Sequence, residues 1–103
     1  MDSRHMILVD GEPKPVSLLE WGRWFNEIDN RRIAETFVGE VRISTVFLGI
    51  DHNFGAGAPL WFETMIFGGK RDEFCDRYTT LDEARRGHDR AVAMEQEAAD
   101  AAD

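Results

Sequence analysis

The chain has a single cysteine, Cys75, and no long hydrophobic run, and these two shortages exclude several classes of protein. One cysteine cannot form a disulfide within the chain, which excludes the small secreted scaffolds that disulfides hold together. No apolar run approaches the roughly 20 residues that a membrane-spanning helix needs, so no membrane association is expected. The start of the chain also lacks a signal-peptide hydrophobic region. We therefore expect a reducing, cytoplasmic setting.

Positive charge is also scarce, with 12 lysines and arginines against 20 aspartates and glutamates and a formal net charge of −8. Such a surface repels phosphate backbones, so direct nucleic-acid binding is not expected. A basic protein partner, or solubility alone, is the better interpretation of the charge.

The length of 103 residues, with 43% hydrophobic and 31% charged residues, favours one globular domain. A second methionine, Met6, begins the sequence "MILVDGEPKP", so residues 1–5 are expected to be a cloning remnant or a disordered start. Residues 6–97 are expected to form a single α+β domain. Residues 98–103 should be a frayed acidic tail, because negative charges destabilise the C-terminal end of a helix.

The first half of the domain predicts a strand followed by a helix. "ILVD" at residues 7–10 is typical of a short strand, and "GEPKP" at residues 11–15 predicts a turn, since two prolines remove ladder donors. Ser17 and Glu20 form a capping pattern before an apolar stripe that starts at Leu18. The stripe predicts a helix of about three turns that ends near residues 29–32.

The second half predicts four strands and a second helix. β-Branched and aromatic residues fill residues 33–50, with a hairpin turn at Gly39 and Glu40, and strands at residues 60–67 and 73–79 follow. The strand after the turn becomes apolar on both faces, so its C-terminal half should lie deeper. Thr80 and Glu83 repeat the capping pattern at the start of a helix that runs from Leu81 into the 90s. The apolar stripe of this helix is Leu81, Ala84, His88, Ala91 and Val92.

This order, β-α-β-β-β-β-α, predicts an α+β fold in two layers: an antiparallel sheet of four or five strands packed by two helices. A two-layer fold leaves one face of the sheet partly uncovered. Trp61, Met65 and Phe67 are expected on that face, where exposure of their apolar surface is unfavourable. We therefore expect a homodimer through this face.

The connection that begins with Asp51 and His52 has two interpretations. In the first, His52 is a general base or metal ligand, oriented by Asp51 or by Glu63 on the returning strand. In the second, Asp51 and Asn53 bond to the local backbone of a long hairpin connection. We favour the second interpretation, since the residues show no metal-site spacing and "GAGAP" lacks the lysine and the helix of a phosphate-binding loop. No catalytic residue, metal or cofactor is predicted.

Other chemistry-bearing side chains also favour structural roles. His88 lies on an apolar helix stripe, which is typical of a packed histidine, and Cys75 has no nucleophile motif around it. The arginines could gather to bind a small anionic ligand, but ion pairs with nearby acids are the favoured interpretation. The three tryptophans could bind a partner or supply core bulk, and core bulk is favoured. If the chain binds a ligand or partner, the candidate residues are Asp51, His52, Asn53, Phe54, Trp61, Arg42 and Trp24.

The segments "LLEWGRWF", "ISTVFLGIDHNFGAGAPLWFETMIFGG" and "DRYTTLDEARRGHDRAV" resemble a family of small uncharacterised proteins of bacteriophages, prophages and their bacterial hosts. The resemblance extends from Met6 to the mid-90s. It implies a phage or mobile-element origin and, for a phage-encoded protein, the host cytoplasm. It implies no enzymatic activity and no catalytic residue.

Three functions remain open from the sequence. The first is a non-enzymatic accessory protein that binds a host protein or a small anionic ligand, for example in counter-defence. The second is a small metal-dependent hydrolase that uses Asp51, His52 and Glu63, with His88 as a further candidate. The third is a minor structural protein of a phage particle, which no assembly arm or heptad supports.

Overall fold

The computed structural model describes residues 5–51 and 57–101, and these residues form an α+β fold, as the sequence predicted. The elements in chain order are β1 Met6–Val9, β2 Glu12–Pro15, α1 Leu18–Phe25, α2 Ile28–Arg31, β3 Arg32–Val38, β4 Val41–Phe47, β5 Phe62–Phe67, β6 Cys75–Tyr78 and α3 Leu81–Ala101.

The main sheet has four antiparallel strands in the order β3-β4-β5-β6, and α3 packs across all four. Val38 pairs with Val41 across the β3–β4 turn, where Gly39 has a φ of 61°. This confirms the predicted hairpin, because a positive φ carries little steric cost in glycine. The two layers of the fold are therefore a sheet and a helix.

The prediction that residues 11–15 form only a turn is wrong, because β1 and β2 pair as a separate two-stranded sheet. Hydrogen-bonded and non-hydrogen-bonded positions alternate along an antiparallel strand. Pro13 and Pro15 lie two residues apart, so both can occupy non-hydrogen-bonded positions, and the residues between them form the ladder hydrogen bonds. Asp10 and Gly11 both have positive φ, as a tight hairpin turn requires. β1 is consequently a strand of this hairpin and does not join the main sheet.

The first helix is shorter than predicted. The Ser17 cap is confirmed, since its hydroxyl accepts a hydrogen bond from the amide of Glu20 at 3.2 Å. However, α1 ends at Phe25, and Glu27 is extended before the single turn of α2. The Asn30 side chain donates a hydrogen bond to the carbonyl of Trp24 at 2.8 Å, which gives the end of α1 a partner outside the helix.

The core lies between α3 and the sheet. Alternate residues of β4 and β5 are fully buried on this side, and the C-terminal half of β4 is the deeper half, as predicted: Ile43, Thr45, Phe47, Phe62, Thr64 and Ile66. The predicted stripe of α3 faces them, with Ala84, His88 and Ala91 buried. A strand alternates its faces every residue, so the other side chains of these strands point away from α3.

α3 continues to Ala101, four residues into the segment expected to fray. Ala98, with Val38 and Val41, lines a pocket where α3 passes the β3–β4 turn. Residues 1–4 of the predicted N-terminal segment and residues 102–103 of the predicted acidic tail lie outside the described residues. Across the described ranges, no helix is both long enough and apolar enough to span a membrane.

Candidate functional site

The side of the main sheet that faces away from α3 is the surface with the strongest binding features, and we call it the open face. Three rows of side chains cross it from strand to strand: Phe37, Arg42 and Phe67; then Glu35, Ser44, Met65 and Cys75; then Arg32, Val46, Glu63 and Arg77. Phe37 is 62% exposed and Phe67 is 36% exposed. Within the described residues, α3 lies on the opposite side and covers neither of these rings.

Arg42 stands at the centre of the first row, between Phe37 and Phe67. Its guanidinium carbon lies 4.3 Å from the centroid of the Phe67 ring, and its Nη1 lies 3.1 Å from Oε2 of Glu35. The aromatic contact and the carboxylate fix the plane of the guanidinium. The row therefore presents an ordered cation between two aromatic side chains.

The charges of the open face differ in sign from those of the whole chain. It holds three arginines and two glutamates, whereas the chain as a whole has an excess of acids. Nε of Arg77 lies 2.9 Å from Oε2 of Glu63, and Arg32 lies 4.0 Å from Glu35. All three arginines of this face are thus paired, and the face keeps a small positive balance.

Cys75 is a strand residue, as predicted, and its environment disfavours the thiolate. Its Sγ donates a hydrogen bond to Oε2 of Glu63 at 3.3 Å. Burial, followed by the hydrogen bond and the charge of Glu63, raises the pKa of the Cys75 thiol, while Arg77 lowers it less. The sulfur is therefore a poor nucleophile at neutral pH.

Asp51 closes the long connection between β4 and β5. Its Oδ1 accepts a hydrogen bond from the amide of Leu60 at 2.8 Å, which ties the start of the connection to its end. This contact agrees with the structural interpretation of Asp51. The candidates His52, Asn53 and Phe54 lie outside the described residues.

Glu63 and His88 are not brought together. The ring of His88 contacts Thr36 and Thr45 on the α3 side of the sheet, whereas Glu63 pairs with Arg77 on the open face. Among residues 5–51 and 57–101, no group of three or more histidines, cysteines or acids has the geometry to hold a metal ion. Two members of the candidate hydrolase set, Glu63 and His88, therefore lie on opposite faces of the sheet.

A buried polar network crosses the sheet beneath α3, and the sequence analysis missed it. Nε2 of His88 lies 2.8 Å from the Thr36 hydroxyl, and Nδ1 lies 2.8 Å from the Thr45 hydroxyl. The Thr45 hydroxyl also bonds to the hydroxyl of Thr64, which extends the network to β5. The sequence signal for this network is the presence of threonine at core-facing positions of β4 and β5, where apolar residues are usual. The network joins three strands, β3, β4 and β5, to the helix and gives His88 the packed, structural role that was predicted.

The tryptophan candidates contribute to packing. Trp24 meets the ring of Phe47 edge-on, with centroids 5.7 Å apart. Trp61 was expected on the uncovered sheet face, but it packs against the core cluster around Phe47 and Phe62. It also lines a cleft of about 500 Å³ between the β1–β2 turn and the start of α3. Trp61 precedes β5, so strand alternation does not fix its direction.

Two further arginines, Arg71 and Arg86, form ion pairs of the predicted kind. Arg71 lies 3.4 Å from Oε1 of the buried Glu95, and Arg86 pairs with Asp82 one turn away on α3. An anionic ligand would have to compete with these carboxylates.

The fold and site together define the chain as a small two-layer α+β protein with a sheet face that has aromatic side chains and a central arginine. Comparison with protein-family models, curated proteins and solved structures gives no match for this chain.

Proposed function

We propose that this protein is a non-enzymatic accessory protein of a phage or mobile element that binds a host protein through its open face. The observation that carries the proposal is the first row of that face, where Phe37 and Phe67 expose aromatic surface on either side of an oriented Arg42. Aromatic and arginine side chains dominate the energetic centres of protein interfaces.

The sheet makes this row a rigid binding surface. Arg42 pairs with Phe37 on β3 and with Phe67 on β5, so backbone hydrogen bonds fix the spacing of the three side chains. A surface that is ordered before binding loses less conformational entropy when a partner docks.

A protein partner fits this face better than a small anionic ligand. Arg32 and Arg42 are both paired with Glu35, and Arg77 is paired with Glu63. A small anion would have to displace a carboxylate, whereas a protein surface can cover the aromatic rings without breaking the ion pairs. The partner is expected to bring apolar side chains over Phe37 and Phe67.

No second function is proposed. For the hydrolase alternative, the described part of the connection supplies Asp51, whose carboxylate accepts the Leu60 amide, and Glu63 is paired on the open face.

The test is capture from bacterial host lysate with purified protein as bait. The variants Phe37→Ser and Phe67→Ser remove the two rings of the row, and Leu19→Ser is the matched control, because Leu19 is 66% exposed on α1. We expect one host protein to be retained by the parent and by Leu19→Ser and to be lost by both sheet variants. The proposal is wrong if nothing is retained, or if all four proteins retain the same set.

A further inference from the structure

β3 is the outer strand of the main sheet, and no described strand pairs with its outer edge. An outer edge presents backbone N–H and C=O groups that can bind another strand. We infer that two copies of this chain pair antiparallel through the outer edges of β3, so that the two sheets join into one sheet of eight strands. This inference concerns the outer edge of β3, which shares Phe37 with the open face, and it does not depend on host binding.

The two edges of the sheet differ in how well they resist such pairing. β6, at the other edge, has four residues, and two of its exposed side chains, Asp76 and Arg77, are charged. Short, charged edge strands discourage pairing. β3 has seven residues and contains neither lysine nor proline. Its one irregularity lies between Arg32 and Ala34, so residues 34–38 remain regular.

Phe37 marks this edge as an incomplete surface. It is the most exposed aromatic residue among the described large hydrophobics, and its ladder partner is Arg42 on β4. A second strand beside β3 would cover the free flank of the ring. Burying apolar surface contributes about 25 cal/mol per Å², so the contact favours pairing.

The side chains of β3 are compatible with a second copy of themselves. When Thr36 lies opposite Thr36 of the second copy, Glu35 lies opposite Phe37, and Ala34 lies opposite Val38. Each pair then shares a face of the sheet, and no two like charges meet. The alternative register with Glu35 opposite Glu35 brings two carboxylates together, which is unfavourable.

The charge of the chain favours this edge for self-association. β3 contains one arginine and one glutamate, so two copies meet without excess charge of either sign. By contrast, the last turns of α3 carry the exposed acids Glu97 and Asp100, and two acidic helix ends would repel each other. The chemistry of the edge therefore selects a second copy of the same chain as its partner.

The experiment measures the mass of the purified protein by light scattering over a concentration series. We expect the parent to approach the mass of a dimer as the concentration rises. Phe37→Lys places a charge on the proposed edge, and Phe67→Lys places the same charge on the same face but on the inner strand β5. Phe37→Lys should remain monomeric, whereas Phe67→Lys should dimerise like the parent.

Three outcomes overturn the inference. In the first, the parent is monomeric at every concentration. In the second, Phe37→Lys still forms a dimer. In the third, both variants are monomeric, which would place the contact across the open face. Hydrogen exchange of the parent provides a second measurement if Phe37→Lys fails to fold. Amides of residues 34–38 should gain protection with concentration while those of β6 do not, and equal protection at all concentrations contradicts the pairing. Since no lysate is involved, these results are independent of host capture.

Discussion

Nδ1 of His88 and the hydroxyl of Thr45 lie 2.8 Å apart and join α3 to the second strand of the main sheet. The other ring nitrogen bonds to Thr36 on β3, so one side chain links the helix to two strands. A neutral imidazole offers one donor and one acceptor, which suits two hydroxyl partners. The neutral ring is therefore the form that the fold stabilises.

Removing the imidazole should destabilise the protein substantially. His88→Ala leaves the hydroxyls of Thr36 and Thr45 without this partner beneath the helix, and each buried polar group left unpaired costs about 1–3 kcal/mol. We expect the free energy of unfolding in urea to fall by about 2–4 kcal/mol. Gln96→Ala, at an exposed position of the same helix, should change it by no more than about 0.5 kcal/mol. A similar small change in both variants would contradict the role given to His88.

Acidification should destabilise the protein through the same side chain. Burial lowers the pKa of His88 from its ordinary value of 6.5, and the nearby charge of Asp89 opposes this less strongly. The unfolded chain therefore binds a proton at a higher pH than the folded protein, so stability is full above about pH 6.5 and falls as the pH drops below it.

The measurement for this prediction is the free energy of unfolding from about pH 7.5 to about pH 5. In His88→Gln, which cannot titrate, the loss over this interval should be smaller than in the parent. Parallel curves for the two proteins would assign the pH dependence to other groups.

The sequence predicted the main sheet well because strand alternation is a strong signal. The buried positions of β4 and β5 follow the two-residue period, and the turn at Gly39 interrupts an otherwise continuous β-rich run. The capping patterns at Ser17 and Thr80 identified both helix starts, because each serves a local backbone amide. These features depend on residues close together in the chain.

The features that the sequence did not predict depend on long-range contacts or on competing local signals. The two prolines of β2 are a strong local signal against a strand, yet the positive φ of Asp10 and Gly11 defines a hairpin turn there. The network around His88 joins residues as far as 52 positions apart. The direction of Trp61 could not be predicted either, because packing against the core, and not strand alternation, determines it.

Gly87 should be indispensable in the interior of α3. A Cβ at this position would overlap the hydroxyl and ring of Tyr78, which lies against the helix backbone. Alanine normally stabilises a helix interior by about 1 kcal/mol relative to glycine. In Gly87→Ala we expect the overlap with Tyr78 to outweigh this gain. The free energy of unfolding, measured by heat or urea, should fall by about 1–3 kcal/mol.

Gly22 provides the matched control, because it lies in α1 and a Cβ there meets no atom within 4 Å. Gly22→Ala should therefore raise the free energy of unfolding by up to about 1 kcal/mol. If both alanine variants are more stable than the parent, the close approach of Tyr78 to α3 is not a constraint in solution.

Asp51 should act through its oxygen atoms as hydrogen-bond acceptors. Its Oδ1 accepts the amide of Leu60, so Asp51→Ala should lower the free energy of unfolding by about 1–3 kcal/mol. Asp51→Asn keeps an acceptor of the same shape and should recover at least half of that loss in the same urea titration. The charge of Asp51 would have a separate role if the asparagine variant were as unstable as the alanine variant. The charge of Asp51 would also have a separate role if calorimetry showed that the parent binds a divalent cation and that Asp51→Asn does not. Either result would make the connection between β4 and β5 a candidate reaction centre again. If asparagine restores the stability and no cation binds, Asp51 has only the structural role of joining the two ends of this connection.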